Sequence, residues 1–200
     1  MDTESGWAWK DTGGSDFEQP EPGSYAAICY RIIDLGTQPT SWEGVAGTKE
    51  QTLIGFELDE LMTTGEHAGK PFVVAKFYTT SLGKKATLRG DLESWRGRQF
   101  TEEELAGFDP KNILGKPCML SLIKTEKGKI KIATVSKLPK NMLAPKPSNP
   151  QVFFTLHGMH LDHAVFDAFS EGIKKILIRS PEYQRLANKK QPTAATAGGS

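Results

Sequence analysis

Between Lys70 and Gly97 the hydrophobic period changes from two to 3.6, and this switch constrains the fold more than any other feature. Residues 71–81 alternate as a strand does, so side chains two apart share a face. One face carries Phe72, Val74, Lys76 and Tyr78, and the other carries Val73, Ala75, Phe77 and Thr79. A face that mixes aromatics with a lysine is a poor core. It suits stacked bases beside a phosphate backbone, so the first face is expected to meet a ligand. Residues 84–96 then place Leu88, Leu92 and Trp95 at i, i+4 and i+7, a helical stripe whose tryptophan belongs to a core.

The flanking segments extend the pattern. Residues 25–38 read as a long apolar strand interrupted at Gly36, and residues 39–50 as a loop holding Trp42 and Lys49. A second strand spans 51–58, with Ile54, Phe56 and Leu58 on one face. Thr101 and Glu104 form a capping box that starts another short helix. Strands at 117–125 and 129–138 flank a tight turn at 126–128. The order strand, strand, strand, helix, strand, strand is that of the five-stranded Greek-key barrel known as the OB-fold, and the class is mainly β with helices, α+β. The expected organisation is a flexible acidic arm at 1–23, the barrel at 24–138, a poorly packed proline-rich linker at 139–151, a helical extension at 152–188 and a disordered tail at 189–200. The extension holds one long helix, 162–179, with the stripe Val165, Phe166, Phe169, Ile173, Ile176 and Leu177.

The net charge of +1 conceals an uneven distribution. Residues 1–22 hold six acids and one lysine, whereas residues 111–150 hold nine lysines and one glutamate. A basic strand pair next to aromatics attracts a polyanion. On the second of these strands Lys129, Lys131, Ala133 and Val135 share a face, with Lys124 and Lys127 near the turn. That face reads either as one wall of a nucleic-acid channel or as a solvated outer surface.

Other chemistries are poorly supported. The segments around Gly65 and Gly83 lack the glycine spacing and hydroxyl of a phosphate-cradling loop. The Asp109-Pro110-Lys111 triplet sits in a loop, which is no place for a metal-dependent nuclease centre. His157, His160 and His163 cannot share one helical face, and no cysteine lies nearby in sequence to complete a zinc site. Cys29 and Cys118 lie in apolar segments and read as reduced core thiols. No catalytic residue, metal or cofactor is expected. No apolar run is long enough to span a bilayer, and the acidic start lacks a secretory signal, so the expected compartment is the cytoplasm.

Eight short runs carry a family resemblance: DLGTQ at 34–38, GKPF at 69–72, YTTSL at 78–82, LRGDLESWRGR at 88–98, FTEEELAGF at 100–108, LGKPC at 114–118, SKLPK at 136–140 and SPEY at 180–183. They resemble a family of tailed-phage proteins, some described as phage single-stranded DNA-binding proteins, over roughly residues 23–185. The resemblance implies an OB-fold and a place in phage DNA replication or recombination within the host cytoplasm. It implies no catalytic residue. Proteins that coat single strands often end in an acidic tail that recruits partners, but here the acidic segment is N-terminal and the last residues are Ala, Thr, Gly and Ser.

The expectation is therefore sequence-independent binding of single-stranded DNA by Trp42, Lys49, Phe72, Lys76, Tyr78, Lys124, Lys127, Lys129 and Lys131. Further partners would be phage or host replication and recombination proteins and a second copy of the chain. The N-terminal arm would compete weakly for the DNA site, since Trp7, Trp9 and Phe17 lie among its acids. The alternative is a phage protein–protein adaptor or virion component that uses the barrel as a scaffold.

Overall fold

The computed structural model describes residues 18–189. Its centre is a hairpin of two long antiparallel strands, β1 (Gly23–Trp42) and β2 (Val45–Leu61). The turn between them is the pair Glu43-Gly44, with φ of 48° and 80°, the left-handed pair that matches strand twist. Residues 39–50 are thus the end of a β-ribbon, where a loop was expected. The ribbon pairs Thr40 with Gly47 and Trp42 with Val45, yet both of its faces are open to solvent. With neither face buried, no alternation marks it in the sequence. Gly36 does not end β1; it sits at a bulge with φ of 68°, and the ladder resumes beyond it.

The remaining strands are β3 (Pro71–Thr79), β4 (Pro117–Lys124), β5 (Ile130–Ser136) and β6 (Val152–Phe154). The sheet is an open path, β3-β2-β1-β4-β5. One edge of β1 pairs with residues 45–58 of β2; its other edge is shared, with residues 23–28 on β4 and residues 31–33 on β6, the latter in parallel. Among the described residues no ladder joins β3 to β5, although Lys76 Nζ on β3 lies 3.5 Å from the Ala133 carbonyl on β5. The architecture is mainly β with several helices, α+β.

The sheet carries a core on each side. Residues 53–58 of β2 are buried without interruption, as expected of a strand covered on both faces. On one side Ile54, Phe56 and Leu58 pack with Cys29, Phe72, Tyr78, Cys118, Leu120 and Ile132 beneath helix α1 (Thr87–Arg96). Leu88, Leu92 and Trp95 of α1 face this core as the stripe required, and the Trp95 ring meets Phe56 at 5.5 Å between centroids. On the other side Ile33, Leu35 and Leu53 pack with Phe154, Leu156, Phe169, Ile173 and Leu177.

The second core comes from the C-terminal segment, which contains β6 and helices α3 (His163–Asp167), α4 (Glu171–Arg179) and α5 (Pro181–Ala187). The single helix expected over 162–179 is two, because Ser170 takes an extended conformation (φ −62°, ψ 153°) at the start of α4. Phe166, Phe169, Ile173, Ile176 and Leu177 are buried all the same. The linker has no regular structure, as its prolines dictate, and it is largely exposed as expected, but its C-terminal end is anchored. The buried Glu57 carboxylate accepts from the Ser148 N–H (3.1 Å), the Asn149 N–H (2.8 Å) and the Asn149 side-chain amide (2.6 Å).

Candidate nucleic-acid interface

The expected ligand face of β3 is turned inward. Phe72 and Tyr78 are each 4% exposed and belong to the core under α1. Tyr78 donates its hydroxyl to Asp91 Oδ2 on α1 at 2.8 Å, and Lys76 Nζ reaches the same oxygen at 2.6 Å. Burial, with the Asp91 charge and its hydrogen bond, drives the Tyr78 phenol far above its ordinary range. The sequence could not reveal this. Alternation shows which side chains share a face, and Lys76 made that face look wet; its counter-charge comes from a helix fifteen residues on. Phe72 and Tyr78 are therefore unavailable for stacking, and Lys76 is held by a carboxylate.

The open face of β3 is the other one, where Val73 is 47% and Phe77 is 48% exposed. Beyond Phe77 the chain turns through Ser81, Gly83, Lys84 and Lys85 into α1, and Lys49 of β2 stands on the opposite side. Together they bound a concavity of ≈ 700 Å³ whose lining includes no carboxylate. No side chain caps the N-terminus of α1, and no acid occupies its first turn. The helix dipole therefore adds to the positive potential of the three lysines. At the far end of β3 a groove of ≈ 780 Å³ runs between β3 and β5, lined by Lys70, Val73, Ile130 and Lys131 and also by the Glu18 carboxylate. Phe77 lines the first hollow and Val73 the second, about 13 Å apart along the strand.

The other expected residues are scattered. Trp42, at the ribbon tip, is 76% exposed and packs against no core. Lys124, Lys127 and Lys129 are exposed around the β4–β5 turn. Val135, which simple alternation puts beside the lysines, is buried. Ala133 is an extra residue at a bulge, since Ser121 pairs with Thr134 and Leu122 with Ile132. Reading the sequence missed Phe77, Lys84 and Lys85. The signal was a Gly-Lys-Lys segment at the start of a helix with no acid in its first turn.

The remaining motifs are structural. Thr101 and Glu104 complete the capping box of α2 (Glu102–Ala106). Glu104 also binds Arg96 and Arg98, and hydrogen bonding from Arg98 first, then the Thr101 N–H and Arg96, lowers its carboxyl to about 2. Asp109 accepts from the Lys111 N–H at 2.9 Å, capping a 3₁₀ turn at Pro110–Ile113. Cys29 and Cys118 are buried and unpaired by a disulfide. Burial raises the Cys29 thiol to about 12 and Cys118 further. Among the described residues no group of three or more His, Cys, Asp or Glu is placed to hold a metal, and no helix is long and apolar enough to cross a membrane. The proposed competitor segment lies mostly outside the described residues. Its described end, Glu18, accepts from the Thr63 and Thr64 N–H groups (2.6 and 2.9 Å) and lines the groove between β3 and β5.

The chain matches no protein-family model, and no curated protein is significantly similar to it.

Proposed function

We propose that this protein binds single-stranded DNA without sequence preference, along the outer edge of β3, in phage DNA replication or recombination. The observation that carries the reading is the carboxylate-free concavity in which Lys49, Lys84 and Lys85 surround the half-exposed ring of Phe77. Lysine–phosphate contacts release counterions, and an aromatic face accepts any base, so affinity needs no particular sequence. The groove with Lys70 and Lys131 extends the track past Val73. In this reading the protein is not an enzyme. The finer fold is an OB barrel, supported by β1 pairing with both β2 and β4, by α1 lying between β3 and β4 in the chain, and by the Lys76–Ala133 contact across the ends of the path.

A second reading, a protein–protein adaptor, is favoured by the exposure of Trp42 and Val45 at the ribbon tip. Gel-shift titration of a thymidine 30-mer and of a duplex, each at two salt concentrations, separates the two. The DNA reading expects preference for the single strand and a log–log salt slope near −3 if about four phosphates are neutralised. Equal affinity for duplex, or no response to salt, favours the adaptor.

A further inference from the structure

A third hollow shares wall residues with the lysine concavity. It has a volume of ≈ 290 Å³ and sits where the two cores meet, between the sheet, α1 and β6. Its lining is apolar, chiefly Ile32, Ile54, Leu88, Leu92, Ile113 and Phe153. The chamber is open to solvent at its rim, and even an enclosed cavity of about 150 Å³ lined by such side chains accepts benzene. This one has room for a fused two-ring base. Its rim is polar: Thr52, Thr80, Ser81, Asp34 and His157. Asp34 is held in place by the Leu156 N–H at 2.9 Å, with His157 Nε2 at 3.4 Å from the same oxygen. Thr52 Oγ1 and Thr80 Oγ1 lie 2.7 Å apart, so one hydroxyl donates to the other and one donor remains for a ligand. An apolar chamber with a few convergent polar groups at its mouth is the usual form of a small planar-ligand site.

We propose that this cavity takes a nucleobase drawn out of the bound strand. The inference rests on the DNA reading above. What favours a base over another apolar molecule is continuity: Ser81 and Leu88 line both this cavity and the lysine concavity. A phosphate held by Lys84 and Lys85 leaves its base on the segment that forms the cavity wall. The base enters the apolar chamber, and the rim hydroxyls and carboxylate meet its hydrogen-bonding edge. Drawing a base from a duplex requires breaking its pair and its stack, whereas a single strand gives up only stacking. The cavity therefore strengthens the selection of single strands over duplex beyond what surface lysines supply.

The test uses the full chain with labelled isoleucine methyls and backbone amides, titrated with a thymidine 15-mer. The expected result is intermolecular NOEs from thymine protons to the Ile32, Ile54 and Ile113 methyls, saturating together with shifts of the Lys84 and Lys85 amides. Leu82→Trp, which narrows the cavity from a half-buried loop position, should remove those NOEs and weaken the oligonucleotide about tenfold while thermal melting is retained. Amide shifts without methyl NOEs overturn the cavity proposal and leave the DNA reading standing. Absence of both overturns the DNA reading and the cavity with it. Methyls that respond to benzene but not to the oligonucleotide assign the chamber to a small apolar ligand, which also overturns the proposal.

Discussion

Adjacent residues on β3 provide a decisive comparison, because Phe77 and Tyr78 point to opposite faces of one strand. Tyr78→Ala removes a buried aromatic ring, which costs about 3–5 kcal/mol in a core that only partly relaxes. It also strips the Asp91 carboxylate of its phenol donor at 2.8 Å and leaves Lys76 beside it. A loss of about 4 kcal/mol is a large part of the 5–15 kcal/mol typical of a domain. With a urea m-value of about 2 kcal/mol/M it moves the unfolding midpoint by about 2 M. Phe77→Ala removes a ring that is half in solvent, so folding should change by about 1 kcal/mol or less. If Phe77 stacks on a base, the same change costs about 1–3 kcal/mol of binding, or roughly 5- to 150-fold in Kd. Urea unfolding followed by tryptophan fluorescence, and anisotropy with a labelled thymidine oligonucleotide, read the two quantities separately. The reasoning fails if Tyr78→Ala unfolds like the parent yet loses DNA, or if Phe77→Ala binds as tightly as the parent.

Replacing Lys49, Lys84 and Lys85 together with alanine should flatten the log–log salt slope by about 2, near 0.7 for each lost phosphate contact, and an unchanged slope places the phosphates elsewhere. Cys29 and Cys118 should resist a thiol reagent at pH 8 in the native protein and both react once it is unfolded, since burial holds Cys29 near 12. Glu104→Gln should lower stability by an amount that is constant above about pH 5. Because the folded carboxyl is depressed from 4.5 to about 2, its contribution is present above the unfolded value and fades as the pH falls through that window. Urea melts of parent and variant at pH 6, 4 and 2.5 should therefore converge at the acid end. Deleting residues 1–17 should tighten single-stranded DNA binding, most at low salt, because four acids are removed from a segment that joins the chain at Glu18, which lines the Lys70–Lys131 groove; weaker or equal binding removes the competitor role.

Several elements were legible because a short-range rule sufficed to place them. Leu88, Leu92 and Trp95 repeat at helical spacing and are buried on one face of α1. Thr101 and Glu104 cap each other across three residues. The order of the first five strands and of α1 followed from changes of period and from turn signals, whereas β6, inside the expected helical extension, did not; the burial of the stripe from Phe166 to Leu177 followed from its spacing. That spacing survived the break at Ser170, so the stripe was visible and the break was not.

Tertiary structure decided what no local rule reaches. The β-ribbon at its exposed end has no buried face, so its ladder left no mark in the hydrophobic pattern. The bulge at Ala133 shifted the inward positions of β5 by one residue, and Val135 moved into the core. Above all, the alternation of β3 divides its side chains into two sets but does not say which set faces in. Both sets contain an aromatic ring and β-branched or small residues, and the lysine made the truly buried set look exposed. Asp91, delivered by α1, supplies the charge that lets Lys76 and Tyr78 turn inward, and the turn at Ser81–Lys85 then gathers a basic concavity around Phe77. The sequence by itself determined the two faces of that strand; the helix packed against it decided which one meets the solvent.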